Sequence, residues 1–530
     1  MKKILSAVIL SLVLVSSVFA LKVYDSELKS AKDTIEFINY TGPHKKIETL
    51  DAIKGIGKGL GKEIAKNGIS TSTNTGNKAK YYVIHAVDPK ETGKLDADIL
   101  YLGSDAQVDH IKNLRYIISA YLQDAYGYLE ADADTLSVFI TVYNAVYRGN
   151  LDYYSSKYKN EVTKNLTSNA GLSVKYSDWP GKSEIVIPLY DVSEAGLSTV
   201  DTSVISDTKV VESMKEDEDR NIDSRKEMVD IKEREAEQAQ QKANEAQKKA
   251  TEEQKKLKEE QEKTAKTEKA AEEAKKEAEE AQKAADENPE DKELQKEAAE
   301  KAEAAENTEK AAEEQREKEA EQQEKTEDAR QEAADQQAQA DKKETEALNE
   351  RKEIAKDQNE VMKEEARQAK MDTEYGIMLV DEENLLSRLV KFDTATGETV
   401  KNSPVAQIRN RTAFESDSGY IAIAGENSGN GTVKLVNIDP ETMEIALEST
   451  ENVAEDSVLV QDGSDFYCVI DDNGKYVLAK YNENMELRLK SPVTVKSATP
   501  VMITKAGIVV TNSDGKMQVL GKEDLAPLGK

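Results

Sequence analysis

The sequence predicts a multidomain protein with an α+β N-terminal domain, a long α-helical middle and an all-β C-terminal domain. Residues 21–210 alternate strand-like apolar runs with amphipathic helical patterns. Residues 211–370 consist largely of Glu, Lys, Ala and Gln, and residues 373–530 repeat a pattern of paired strands. A chain of 530 residues has room for about three domains of ~150 residues each.

Charge and cysteine content exclude several classes of function. The chain carries 73 Lys and Arg against 103 Asp and Glu, a net charge of −30. Nucleic-acid binding depends on cationic side chains that displace counterions from phosphates, so we do not expect a nucleic-acid partner. The single cysteine, Cys468, cannot form an internal disulfide, and three histidines beside it do not make a structural zinc set.

The first twenty residues have the three parts of a bacterial secretory signal. A basic start, Met1-Lys2-Lys3, precedes an apolar run over residues 4–19 and a small residue at Ala20. We expect a signal peptide over residues 1–20, cleaved after Ala20, and a protein exported to the periplasm or cell surface. An uncleaved anchor is the alternative, although the run is shorter than the roughly 20 residues of a spanning helix.

The N-terminal domain shows the periodicities of both strands and helices. Apolar runs at residues 81–84, 99–102 and 184–189 are typical of strands. Apolar residues recur at three- and four-residue intervals over residues 114–122 and 139–146, which places each set on one face of a helix. These patterns predict mixed α and β structure.

The middle region has the period of a coiled coil, with alanine as its main apolar residue. One register runs from Ala236 to Ala285 and includes Leu257, and a second runs from Ala298 to Val361. A 3.5-residue period is the coiled-coil pattern, although an alanine seam buries little apolar area. Polar residues interrupt the registers at Glu253, Glu260, Thr264, Thr267, Glu319 and Thr326.

A break at Asn288-Pro289 separates the two registers. Asn288 is suited to cap a helix and Pro289 to occupy its first turn. An antiparallel hairpin fits this pattern, and so does a single charged helix stabilised by Glu–Lys pairs worth only about 0.3 kcal/mol each. In either form we expect a spacer that keeps the two folded ends apart and that can also self-associate.

The C-terminal region repeats one pattern four times. Strand-like runs at residues 375–379, 420–424, 466–470 and 507–511 each precede a turn and a second strand. Their spacing is close to the ~40–45 residues of a four-stranded propeller blade. A small or partial β-propeller is therefore the leading prediction and a β-sandwich the alternative, since four units are few for closure. Two hairpin turns are predicted, at Asn473-Gly474 and Asp514-Gly515.

A glycine-rich segment, residues 54–63, suggests phosphate binding. It is not a nucleotide loop, because no glycine stands five positions before Gly61 and Glu63 replaces the Ser or Thr that would meet magnesium. The helix-hairpin-helix pattern fits better, with Gly55-Ile56-Gly57 as a turn whose N–H groups face a phosphate. A plain turn between two helices is the favoured alternative in an acidic protein.

The histidines do not predict catalysis. His44, His85 and His110 have no nucleophile and carboxylate that the sequence places beside them. His85 continues an apolar strand and is expected in the core, while Asp105, Asp109 and His110 are suited to start a helix.

The remaining candidates also have structural explanations. Asp132 and Asp134 alternate like calcium ligands, but the glycine and final glutamate of a calcium loop are missing. The segment Asp471-Asp472-Asn473-Gly474 is explained by a hairpin turn, and Cys468 by a buried position in a strand. We therefore predict no catalytic, cofactor-binding or metal-binding residue and no cofactor.

Several segments of the N-terminal domain resemble the Borrelia 83/100-kilodalton antigen family of spirochaetes. The longest runs from Tyr143 to Tyr154, and the order of parts is similar too: signal, this domain, charged helices and a β-rich end. The middle departs from the family in its many Ala and Glu/Lys repeats. The resemblance implies an envelope antigen without an established activity. The other resembling segments are 37–43, 55–57, 113–115, 169–173 and the stretch from Trp179 to the strand at Ile185.

Our leading hypothesis is a non-enzymatic envelope protein in which a helical spacer separates two folded interaction modules. Its partner would be an envelope protein or a glycan. The alternatives are an envelope enzyme with a cleft in the N-terminal domain, and a β module that binds a peptide or glycan.

Overall fold

A computed structural model describes residues 35, 37, 39–42, 47, 49–69, 71–190, 200–217, 219–427 and 431–529. The predicted signal peptide and His44 lie outside these residues. The chain forms two compact units: one contains the residues up to Ser224 and those from Asp357 onward, and the other is Arg225–Lys356. In the described part of the chain, no helix combines the length and apolar composition needed to cross a bilayer.

The N-terminal domain has the predicted α+β structure. Its four strands form an antiparallel sheet in chain order: β1 (Thr73–Gly76), β2 (Tyr81–Ala86), β3 (Asp96–Leu102) and β4 (Ser183–Leu189). The predicted helical patterns lie in its longer helices, which pack on one another and on this sheet. The helices are α1 (Leu50–Asn67), α2 (Ile111–Tyr126), α3 (Glu130–Val146), α4 (Leu151–Lys157), α5 (Asn160–Thr163), α6 (Thr202–Ile205) and α7 (Thr208–Met214).

The glycine-rich segment lies inside α1, so both predictions of a turn there were wrong. A Cβ atom on Gly57 would lie 2.0 Å from the Ile117 carbonyl oxygen, and one on Gly61 would lie 2.7 Å from that of Tyr121. These glycines therefore let the backbones of α1 and α2 approach closely. Glycine costs a helix about 1 kcal/mol relative to alanine, and here close packing explains its presence.

The two long helices of the middle region form an antiparallel hairpin. They are α8 (Ile222–Glu287) and α9 (Lys292–Gln368). Bonds across the hairpin join Lys343 to Glu235 at 2.7 Å and Lys301 to Glu277 at 2.5 Å, as antiparallel pairing requires. The apolar residues of the predicted seam are buried or half-buried, and Ala246 and Ala250 pack against Ala329 and Ala333. These contacts favour the hairpin over the single charged helix.

The polar interruptions of the seam carry contacts between the two helices. Gln322 donates to Glu253 at 2.6 Å, and Gln315 donates to Glu260 at 2.5 Å. The Thr326 hydroxyl donates to the Glu253 carbonyl at 3.2 Å. Because alanine contacts are nearly alike in every register, these directional bonds favour one alignment of the helices.

The break between the helices lies where it was predicted, but the capping residue differs. The Asp291 carboxylate accepts from the backbone N–H groups of Glu293 and Leu294 at 3.0 and 3.3 Å. Asn288 instead donates back to the Ala284 carbonyl at 3.1 Å in the last turn of α8. The prediction that Asn288 caps the second helix was therefore wrong, because its side chain closes the first one.

The C-terminal region consists of antiparallel strands, as predicted. The first sheet contains β5 (Thr373–Asp381), β6 (Leu386–Asp393), β7 (Thr399–Asn402), β8 (Ile408–Ser416), β9 (Gly419–Ala424), β10 (Lys434–Ile438) and β11 (Ile445–Glu448). Its strand order is β11-β10-β9-β8-β6-β5, with β7 on β6, and the other two sheets run in chain order. The second sheet has β12 (Val460–Asp462), β13 (Asp465–Asp472), β14 (Lys475–Tyr481) and β15 (Leu487–Thr494), and the third β16 (Met502–Thr504), β17 (Gly507–Thr511) and β18 (Met517–Leu520).

The four predicted repeats correspond to four successive antiparallel groups of strands. The first and second groups join through a single residue pair, Ser387 and Ile408. Apolar clusters lie between neighbouring groups, for example Ile421 and Leu435 against Phe466 and Val477. Among the described residues, these sheets form no closed barrel or propeller.

The N-terminal domain and the β sheets belong to one compact unit, which corrects the expectation that the helices keep the two ends apart. The chain leaves this unit after Ser224 and re-enters it at Asp357. The antiparallel return of α9 is the physical reason, since a hairpin brings the end of its second helix back to the start of its first.

Glycine substitution in α1 tests the close contact between α1 and α2. Gly57→Ala should destabilise the N-terminal domain by about 1–3 kcal/mol, because its methyl group overlaps the α2 backbone. The matched control is Gly55→Ala, two residues earlier in the same helix. An added Cβ at Gly55 has no atom within 4 Å. This substitution should be neutral or stabilising by up to about 1 kcal/mol. Urea unfolding measures both, and equal effects would contradict the packing argument.

Candidate functional site: a domain junction and a tyrosine-lined cleft

The N-terminal domain is joined to the β sheets by Tyr40, which is fully buried. Its hydroxyl donates to the Thr432 carbonyl at 2.8 Å and accepts from the N–H groups of Thr432 and Glu426 at 2.9 and 3.2 Å. On the other side, the Tyr40 N–H donates to the Asp109 carbonyl at 3.2 Å. One residue thus bonds to backbone groups of both parts.

Two glycines beside the Tyr40 ring leave no room for a larger residue at their positions. A Cβ on Gly431 would lie 2.5 Å from the Tyr40 ring, and one on Gly42 would lie 3.0 Å from it. The Tyr176 ring lies 5.4 Å from the Tyr40 ring. The Tyr176 hydroxyl donates to the Glu426 carboxylate at 3.3 Å. Burial raises the pKa of Tyr40, so its hydroxyl stays protonated and able to donate. We call Tyr40 and these contacts the junction.

A cleft of about 380 Å³ lies beside the junction. Lys112 and Glu444 form an ion pair at 3.6 Å on its wall. Strand β11 forms another side and ends its sheet; its Leu447 side chain is 43% exposed. We call this the junction cleft. The other lining residues are Thr41, Gly42, His110, Asn113, Tyr116, Pro404, Val405, Ile445, Ala446 and Glu448.

A second cleft, of about 410 Å³, lies on the N-terminal sheet. Tyr82, Tyr101 and Glu184 are cross-strand neighbours on its floor. The two tyrosine rings lie 5.6 Å apart at an angle of 46°. Lys78 places its Nζ 5.2 Å from the centre of the Tyr82 ring. We call this the tyrosine cleft.

The rim of the tyrosine cleft is polar, and its carboxylate is held by hydrogen bonds. Glu184 accepts from the Thr167 N–H at 2.7 Å and from the Thr167 hydroxyl at 2.6 Å, and it is 6% exposed. The Tyr101 hydroxyl donates to the Asn165 carbonyl at 2.5 Å. Ser104 and Asn169 complete the rim. A carboxylate that is already bonded in this way is poorly placed to move protons.

The group of titratable side chains that most resembles a catalytic site is sealed in the core. His85 Nδ1 lies 2.5 Å from one Asp98 oxygen, and its Nε2 bonds to the Ile69 carbonyl. Tyr121 and Tyr126 donate to the other Asp98 oxygen at 2.6 and 2.5 Å. His85 and Asp98 are both 0% exposed, as the sequence predicted for His85. No substrate reaches them without unfolding of the domain.

The charge state of His85 follows from this environment. Burial opposes protonation of the His85 ring. The charge of the Asp98 carboxylate and the hydrogen bonds of the ring to Asp98 and to the Ile69 carbonyl outweigh burial, so the pKa of His85 is raised. The protonated form is therefore stabilised by folding.

Three of the other candidates, His110, the Asn473-Gly474 turn and Cys468, have the local roles that the sequence suggested, and Asp134, for which the sequence suggested none, also has a structural one. His110 caps α2 by accepting from the Lys112 N–H at 3.1 Å. Asp134 accepts from the Ser119 hydroxyl at 2.6 Å at the start of α3. Asn473 and Gly474 have the positive φ angles, 55° and 81°, of a tight hairpin between β13 and β14. Cys468 is fully buried in β13, and burial raises the pKa of its thiol.

Comparison with known families identifies the chain. A family model described as Borrelia P83/100 protein matches residues 25–501. The chain belongs to this family. A search of curated proteins found no match. The matched range covers the N-terminal domain, both helices of the hairpin and most of the β strands, so the P83/100 family extends well beyond the segments that first suggested it.

The family-like segment 143–154 is a scaffold inside the N-terminal domain. Asn144 bonds with both the N–H and the carbonyl of Val186 in β4, at 2.7 and 2.8 Å. Arg148 donates to the carbonyl oxygens of Asn169, Gly171 and Lys182 at 2.8, 2.9 and 2.6 Å. This part of the P83/100 pattern therefore joins α3 to the sheet and its loops.

Sequence reasoning missed the residues of the junction. Tyr40 lies in segment 37–43, which resembles the family. That resemblance marked the segment but did not indicate that Tyr40 contacts the β sheets. The contact with Thr432 joins residues 392 positions apart, and local patterns contain no information on contacts at that separation.

Removal of the Tyr40 hydroxyl tests the junction. Tyr40→Phe leaves three backbone groups of Glu426 and Thr432 without this partner, and we expect a loss of about 1–3 kcal/mol. Hydrogen exchange of peptides covering residues 426–433 should become faster. Tyr476→Phe, at a side chain that is 39% exposed, is the matched control. Unchanged exchange in Tyr40→Phe would show that the hydroxyl does not hold the two parts together.

The raised pKa of His85 predicts a pH-dependent stability. Its contribution is complete below the unfolded pKa of about 6.5 and is lost as the pH rises through the folded pKa. The destabilisation by His85→Gln should therefore be larger at pH 5.5 than at pH 9. Tyr126→Phe removes a bond to the same Asp98 without a group that titrates in this range, so its cost should be equal at both pH values. Urea unfolding measures both; a larger effect of His85→Gln at pH 9 would reverse the assignment.

Proposed function

We propose that the protein is a non-enzymatic component of the cell envelope that acts by binding, and that the helical hairpin takes no part in the binding. In this proposal a cleavable signal peptide exports the chain to the periplasm or cell surface. The N-terminal domain and the β sheets act as one binding body, instead of two modules kept apart.

One observation carries this proposal. The acid–base group of His85 and Asp98 is sealed at 0% exposure, while the open tyrosine cleft has aromatic rings and a carboxylate already bonded by Thr167. Catalysis needs a titratable group within reach of a substrate. Binding needs shape, apolar surface and a few polar groups, and the open clefts have these.

The composition of the hairpin supports a passive role. Its small alanine side chains face each other, and charged side chains cover its exposed surface, such as Lys269 at 77% exposure. Lys and Glu are depleted at the cores of binding interfaces. The sheets support a binding role because four successive antiparallel groups, packed face to face, resemble the blades of a partial propeller.

Peptide binding at the junction cleft is a second candidate. Strand β11 ends its sheet. On either side of Glu448, Leu447 pairs with Asn437 of β10 and the Ser449 N–H donates to the Leu435 carbonyl. The backbone groups of Glu448 therefore point away from β10. An extended peptide can pair with such an edge and place an apolar side chain on Leu447.

Site-directed cross-linking in intact cells tests the proposed function. A photo-reactive amino acid is introduced at Tyr116 or Leu447 in the junction cleft, at Tyr82 in the tyrosine cleft, and at Lys269 in the hairpin. We expect cross-links to a defined envelope partner from at least one cleft position and none from the hairpin. Capture by the hairpin alone, or a molecule recovered in chemically altered form, would contradict a binding body with a passive hairpin.

A shortened hairpin gives an independent prediction. Deletion of residues 257–284 together with 294–321 removes four heptads from each helix and keeps the antiparallel alignment. Because the hairpin is a separate compact unit, the thermal unfolding of the binding body and its cross-links should persist. Deletion of 257–284 alone is the control, since it misaligns the seam and should lower helix content. Loss of cross-links from the symmetric deletion would assign recognition to the hairpin.

A further inference from the structure

We propose that the tyrosine cleft binds an uncharged saccharide. This assignment rests on the proposed binding function and adds the class of ligand and the residues that contact it. The tyrosine cleft has a volume of about 410 Å³, which is within the ~300–1,000 Å³ of ligand sites. Aromatic rings line this open face of the sheet.

The angle between the two tyrosine rings selects the shape of the ligand. Tyr82 and Tyr101 lie 5.6 Å apart and are inclined by 46°, so they cannot enclose a flat aromatic group between parallel faces. They form an angled floor instead. The faces of aromatic rings are negative, and the C–H groups on one side of a pyranose are the complementary donors. A puckered sugar ring therefore fits this floor better than a planar base or cofactor.

The charges of the cleft select an uncharged ligand. Lys78 places its ammonium 5.2 Å from the centre of the Tyr82 ring, and no carboxylate among the described residues forms an ion pair with it. Glu184 contributes one negative charge on the floor, held by Thr167. The two charges offset each other in a protein whose net charge is −30. A nucleotide would need more cations for its phosphates.

The rim supplies the hydrogen bonds that sugar hydroxyl groups need. The Lys78 ammonium donates, and the Asn169 amide donates and accepts. The Ser104 hydroxyl donates to Asp105 at 3.2 Å and can accept from a ligand. These side chains lie around the aromatic floor. Apolar rings below and polar groups around them are the combination that a polyhydroxylated ring requires.

The test uses the full chain without its predicted signal peptide and two neutral probes, chitotetraose and cellotetraose. Calorimetry and saturation-transfer NMR measure binding. We expect at least one probe to bind, a loss of at least tenfold in affinity for Tyr82→Leu, and affinity within about twofold for Tyr82→Phe, which keeps the ring. Lys78→Gln should weaken binding several-fold. Tyr476→Leu and Lys80→Gln are the matched controls and should bind like the wild type.

Three outcomes would overturn the assignment. These are no binding of either probe, binding that Tyr82→Leu leaves unchanged, and equal or tighter binding of an acidic hyaluronan tetrasaccharide. Thermal unfolding of each variant shows that it is folded, and Tyr82→Phe separates loss of the aromatic face from loss of packing. If the probes fail while envelope cross-links from the clefts persist, the saccharide assignment is wrong and the proposed binding function stands.

Discussion

The hydroxyl of Tyr40 connects the two ends of the chain. It bonds to three backbone groups of the β sheets, while its own N–H is held by the N-terminal domain. Separation of the two parts would lose these bonds and the burial of the Tyr40 ring, which is 0% exposed, so the junction favours one body.

Small residues are the second recurring constraint. Gly57 and Gly61 bring α1 onto α2, Gly431 admits the Tyr40 ring, and alanines face each other along the hairpin. In each place a larger side chain would overlap a neighbouring backbone or ring. The hairpin gains little apolar burial from its seam, so its alignment depends more on directional bonds such as that between Gln322 and Glu253.

The placement of polar groups divides structural from functional roles. The bonded set around Asp98 lies wholly inside the N-terminal domain, where full pairing offsets the cost of burying charge. The tyrosine cleft and the junction cleft are open, and their aromatic and apolar side chains lie beside charged ones such as Lys78 and the Lys112–Glu444 pair. The fully bonded acid–base set thus lies in the core, and the side chains of the clefts lie at the surface.

The sequence by itself determined the class of each region: the α+β start, the alanine heptads with their break at Pro289, and the four strand repeats. Period and composition are local, and they suffice for these. The tertiary structure alone decided that α1 is continuous through Gly55 and Gly57 and that Tyr40 reaches Thr432. Each depends on which backbone lies within bonding or contact distance. That distance is set by packing between segments far apart in the chain, which local periodicity does not encode.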